Sequence, residues 1–128
     1  MGDALRRLQI PIGQVLSSPT YRALETIKFA QLGPATTYAE LGESGQGMIA
    51  DKSGARAAWL KAKITVPPVS GKNTIIVTHF PNINEIYPRE TKGLADGEAL
   101  ILRPDGRGGA TVVARVKIDE WSHLSAAP

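Results

Sequence analysis

The chain has 128 residues, a net charge of +3, 42% apolar content and 21% charged residues, which fits a single globular domain with an ordinary surface. It contains no cysteine, so disulfides, zinc–thiolate sites and thiol nucleophiles are excluded together. Its basic residues are scattered and no apolar run reaches membrane-spanning length, so neither nucleic acid nor a membrane is indicated as partner, while anionic small molecules suit the charge.

At the amino terminus, Ala4, Leu5 and Leu8 recur at helical spacing, and Ile10-Pro11-Ile12-Gly13 ends the segment. About two turns precede the proline, which is short for a globular helix and resembles the last part of a longer one. The first residues lack the apolar region of a signal peptide. Arg6 stands where a myristoylation signal needs Ser or Thr. The chain as written is expected in the cytoplasm, or in the periplasm or outside the cell if a leader is missing.

Residues 14–17 form a brief strand. Ser18-Pro19 then turns the chain into a helix expected to run to Leu32, with Ser18 as N-cap and Pro19 in the first turn. Ala23, Leu24, Ile27 and Ala30 make its apolar stripe, and Gly33-Pro34 stops it. A strand followed at once by a helix presents unpaired backbone N–H groups at a sheet edge, where anions bind. Arg22, one turn in, adds a guanidinium fork suited to phosphate oxygens; a surface pair with Glu25 is the plainer alternative.

Residues 35–41 are extended and 42–47 form a glycine-rich loop without the Lys-Ser/Thr ending of a Walker motif. A helix is expected over 51–64, with Ala55, Ala58, Trp59 and Ala62 on one face, closed by Pro67-Pro68. The next segment, Asn-Thr-Ile-Ile-Val-Thr-His-Phe-Pro at 73–81, has the unbroken apolarity of a strand buried on both faces of a parallel sheet. It delivers His79, one of only two histidines in the chain, to a carboxyl edge, where open α/β sheets bind ligands. A hydrogen-bonded structural histidine is the alternative. Residues 81–97 read as irregular. Strands at 99–102 and 111–116 flank a turn-forming Pro-Asp-Gly and make a hairpin. Trp121 is expected to anchor the tail, and His123 lies beyond it.

Two stretches together resemble one family. Leu-Ser-Ser-Pro-Thr-Tyr-Arg-Ala-Leu-Glu-Thr at 16–26, and the strand at 75–83 ending in Thr-His with Asn-Ile following, are similar to signatures of the histidine phosphatase superfamily, the phosphoglycerate mutase-like proteins. The resemblance covers nearly the whole chain in order. It implies a three-layer α/β/α sandwich over residues 1–128, ending in a β-hairpin, and hydrolysis of phosphomonoesters through a phosphohistidine, with no metal and no cofactor. It implies a phosphorylated small molecule or a phosphohistidine as substrate. In it Arg22 is the second arginine and His79 the second histidine around the phosphoryl group, with Ser18 at the phosphate. Glu43 is the candidate proton donor and Glu85 the reserve.

The family's nucleophile lies in an Arg-His-Gly signature at the end of a first strand, and the 128 residues contain no such signature. Phe80 stands where a glycine commonly follows the second histidine. The expectation is therefore a domain lacking the first strand and most of the first helix, inactive as this chain. A phospho-ligand-binding pseudoenzyme and an unrelated basic α/β binding module are the alternatives. The resemblance also implies that the strand at 74–78 has an unmatched side, open to the hairpin or to self-association.

Overall fold

The computed structural model describes residues 1–42 and 54–125. The fold is mixed α/β: α1 (Gly2–Arg7), β1 (Ile12–Ser17), α2 (Tyr21–Ala30), β2 (Thr36–Thr37), a 3₁₀ turn (Ala39–Leu41), α3 (Ala55–Thr65), β3 (Asn73–Val77), α4 (Phe80–Ile86), β4 (Ala99–Pro104), β5 (Ala110–Val116) and a 3₁₀ helix (Ile118–His123). Three strands form a parallel sheet in the order β2-β1-β3, and β4 and β5 pair separately as an antiparallel hairpin. A parallel neighbour requires a crossover, and α2 supplies the one from β1 to β2. β1 is thus central, with neighbours reached in opposite directions. In such sheets the crevice beyond the carboxyl ends of the diverging strands is the ligand position.

Two apolar clusters hold the sheet. On one side Leu16 of β1 and Ile76 of β3 pack with Leu41 and Leu60, both essentially inaccessible to solvent, and with Trp59 and Ile86. On the other, Ile12 and Ile75 join Ala4, Leu5, Val116 and Trp121, so α1, the hairpin and the final 3₁₀ helix share one core. The alternation Ile75/Ile76 follows from the two-residue period of a strand. Truncating a buried Leu of this kind to Ala typically costs about 2–5 kcal/mol. Trp121 is buried, as its expected anchoring role requires. Gly2 is where α1 meets the end of α2: a Cβ there would collide with the Ala30 carbonyl.

Several elements differ from expectation. Helix α2 starts at Tyr21 with Thr20 as its N-cap, and neither Ser18 nor Pro19 is inside it. The cause is local: Ser18 Oγ accepts the Thr20 N–H at 3.2 Å, which fixes a turn before the helix begins. The helix ends at Ala30, two residues early, because Gln31 takes the left-handed conformation. Residues 80–86 are helical, since Pro81 sits in the first turn of α4, where a missing N–H costs nothing. Strand β3 is not buried on both faces; residues 74–77 are half-buried. Among the described residues β3 has one strand neighbour, β1, and the hairpin does not pair with it. Residues 51–53, the expected start of α3, lie outside the described residues.

The hairpin is fastened through Arg115. Its guanidinium donates to the Glu98 carboxylate and to the Lys92 carbonyl at 2.9 Å, binding residues 90–98 to β5. At the hairpin's tip, the Asp105 carboxylate accepts the N–H groups of Arg107 and Gly109 at 2.7 and 3.0 Å, closing the turn.

Candidate functional site

The parallel register sets Ser17 beside Val77, so Ser18 and Thr78 leave the sheet side by side. A hydrogen bond from the Ser18 N–H to the Val77 carbonyl, 2.8 Å, prolongs the ladder by one step. His79 follows Thr78 and is the N-cap residue of α4, with its backbone still extended. Its ring therefore turns toward the start of α2. There His79 Nε2 lies 2.9 Å from Ser18 Oγ and 3.3 Å from Thr20 Oγ1, and the two hydroxyls are 3.1 Å apart. Two strand ends and one helix start thus converge on an imidazole and two hydroxyls at the sheet's carboxyl edge.

The Ser18–His79 spacing matches that of a serine nucleophile and its general base. Burial argues for another role. Ser18 is 0% exposed, and its Oγ already accepts the Thr20 N–H. A hydroxyl so enclosed has no open approach for a substrate's electrophile, whereas it is well placed to fix the imidazole's orientation.

A second layer fixes the strand end itself. Thr78 Oγ1 donates to the Leu41 carbonyl at 2.9 Å, and Asn82 Nδ2 donates to Thr78 Oγ1 and to the Gly42 carbonyl, each at 2.9 Å. Asn82 lies in the first turn of α4, so this clamp joins the helix after His79 to the chain leaving the Ala39–Leu41 turn. Those carbonyls end a 3₁₀ turn and would otherwise lack donors.

The expected residues fall as follows. Ser18 and His79 are in direct contact. Arg22 is in the first turn of α2, two residues beyond Thr20, and lines a groove of about 690 Å³ together with Tyr21, Glu25, Phe29, Ile118 and Trp121. Tyr21 and Phe29 are each 77% exposed on that groove's wall. Glu43 lies outside the described residues. Glu85 is exposed on α4, six residues past His79, about 9 Å along the helix axis. Phe80 opens α4 and is partly exposed. Thr20 and Asn82 are the contributors that periodicity does not reveal. The Ser-Ser-Pro-Thr and Thr-His-x-x-Asn spacings are the signals that would have found them. Among the described residues no three His, Asp or Glu side chains gather to hold a metal ion, and no helix is long and apolar enough to cross a membrane.

No family model matches the sequence, and no curated protein or solved structure matches it either.

Proposed function

We propose that this chain binds the phosphoryl group of phosphomonoesters at the sheet edge beside His79, at the start of α2, and that alone it does not hydrolyse them. The observation that carries the proposal is the 2.9 Å contact between Ser18 Oγ and His79 Nε2 at the carboxyl ends of β1 and β3. It sets an imidazole at the β1/β3 crevice, beside the amino terminus of the ten-residue α2. Backbone N–H groups at that end supply fixed positive potential to phosphate oxygens, and Arg22, in the first turn of α2, carries the guanidinium that the resemblance assigns to the same oxygens. The histidine phosphatase resemblance of residues 16–26 and 75–83 suggests the same ligand, and with it a phosphoglycerate mutase-like sandwich. In this assignment His79 and Arg22 hold equatorial oxygens and Ser18 orients the ring.

Turnover needs a nucleophile in line behind phosphorus. Ser18 is enclosed, and His79 is assigned to a position beside the phosphoryl group. Loss of the nucleophile in a covalent hydrolase costs on the order of a million-fold in turnover.

Calorimetric titration with tungstate or inorganic phosphate tests the binding. Arg22→Ala should weaken it about tenfold or more, since a hydrogen bond to a charged group contributes about 1.5–3 kcal/mol. Equal affinity in wild type and variant overturns the assignment. In parallel, p-nitrophenyl phosphate hydrolysis should stay at background. Hydrolysis that disappears on His79→Ala would make His79 the nucleophile.

A further inference from the structure

The outer edge of β3 is a strand-pairing surface, and we infer that its occupant is β3 of a second copy of this chain, running antiparallel about a two-fold axis through Ile76. This inference is independent of the phosphoryl-binding site.

The direction of the backbone groups identifies the surface. The Asn73 N–H donates to the Pro11 carbonyl and the Val77 carbonyl accepts from Ser18, so residues 73, 75 and 77 turn their polar groups toward the β1 side. By the alternation of a strand, Thr74, Ile76 and Thr78 turn theirs the opposite way. Among the described residues no strand lies on that side. The edge lacks the usual protections. No charged residue occurs between Lys72 and Glu85, no proline lies between Pro68 and Pro81, and no bulge interrupts residues 73–77 on β3.

The sequence of this edge is nearly self-complementary. Thr-Ile-Ile-Val-Thr at 74–78 reads almost identically in both directions. Two copies related by a two-fold axis at Ile76 would set Thr74 against Thr78, Ile75 against Val77, and Ile76 against its own counterpart. Each outward-facing residue would then meet another outward-facing residue. That is the requirement for hydrogen-bonded pairs in an antiparallel ladder, giving about six new bonds. Cross-strand contacts become β-branched against β-branched, and no like charges are opposed. The contact is isologous, so it closes as a dimer and does not propagate. It also turns two three-stranded sheets into one of six strands, within the usual size for a sheet. A foreign peptide could use the same backbone groups, but nothing else on this edge selects one, whereas the palindrome selects the chain's own β3.

Size-exclusion chromatography with light scattering should give twice the chain mass at micromolar concentration. Thr74→Pro is the separating variant. It removes an outward N–H without touching the β1 ladder, and should raise the dimer dissociation constant at least tenfold while circular dichroism stays unchanged. Because the chain has no cysteine, Ile76→Cys introduces a single thiol at the two-fold axis, where the Cα separation of a hydrogen-bonded pair, about 5.5 Å, permits a disulfide. Mild oxidation should convert that variant to a covalent dimer, while Val69→Cys, outside the strand, should stay largely monomeric. A monomer at every concentration overturns the inference. So does a dimer that Thr74→Pro leaves intact and Ile76→Cys fails to cross-link, which would place the interface elsewhere, or pairing of β3 with an added peptide alone.

Discussion

Ser18 Oγ is shared among three neighbours: the Thr20 N–H, Thr20 Oγ1 and His79 Nε2. A single hydroxyl proton cannot serve both His79 and Thr20, so the ring tautomer and the turn before α2 are set together. Spacing alone places Ser18 and His79 at strand ends, because each closes a short apolar run. It assigns Ser18 the wrong local duty, an N-cap, because a hydroxyl two residues before the cap competes for the same donors as one at the cap itself. Glu98 is the other side chain whose environment sets its chemistry. The Arg115 guanidinium first, then the Ala95 N–H, hold its carboxyl at about 2, well below the ordinary 4.5. The folded state therefore keeps this carboxylate ionised where the unfolded chain has begun to protonate. The resulting stabilisation is complete above pH 4.5 and is lost as pH falls toward 2. Urea midpoints measured from pH 7 to pH 2 should show Glu98→Gln less stable at neutrality and less sensitive to acid below pH 4.5. The same acid dependence in both proteins would remove Glu98 from the acid transition.

Strand β3 and helix α4 show where element-level reading succeeds and fails. Continuous apolarity in 75–77 identifies a parallel strand, and it is one. The same apolarity suggests burial on both faces, yet these residues are half-buried because only one flank of β3 has a neighbour among the described residues. Composition does not report which strands are neighbours. Helix α4 is hidden behind Pro81, a stop signal for a strand that is also a good first-turn residue for a helix. The hairpin and α2 are legible because turn residues and apolar stripes bracket them. The clamp between α4 and the Ala39–Leu41 turn is not, because it joins residues some forty positions apart through one side-chain amide. Asn82→Ala should remove that clamp's donors to Thr78 Oγ1 and the Gly42 carbonyl. A loss of about 1–3 kcal/mol in urea unfolding is expected, with Asn82→Asp no better, since a carboxylate cannot donate. An unchanged midpoint for both variants would show that the carbonyls find other donors.

At the scale of the whole molecule, a three-stranded parallel sheet between two apolar clusters aims two strand ends and the start of α2 at the same point. The α/β class and terminal hairpin were legible from the order of apolar runs and turns. The convergence of residues 18 and 79 was legible because parallel strands must end at one edge. What was not legible is the division of labour there, since it depends on Ser18 being enclosed. The proposed phosphoryl binding requires an oxyanion to sit against His79. Imidazole nitrogen shifts report it directly, because His79 and His123 are the only histidines and their signals can be assigned by substitution. Titration with inorganic phosphate at constant pH should move the His79 ring nitrogens saturably and leave those of His123 unmoved. No saturable change at His79, or an equal change at both rings, would contradict the claim.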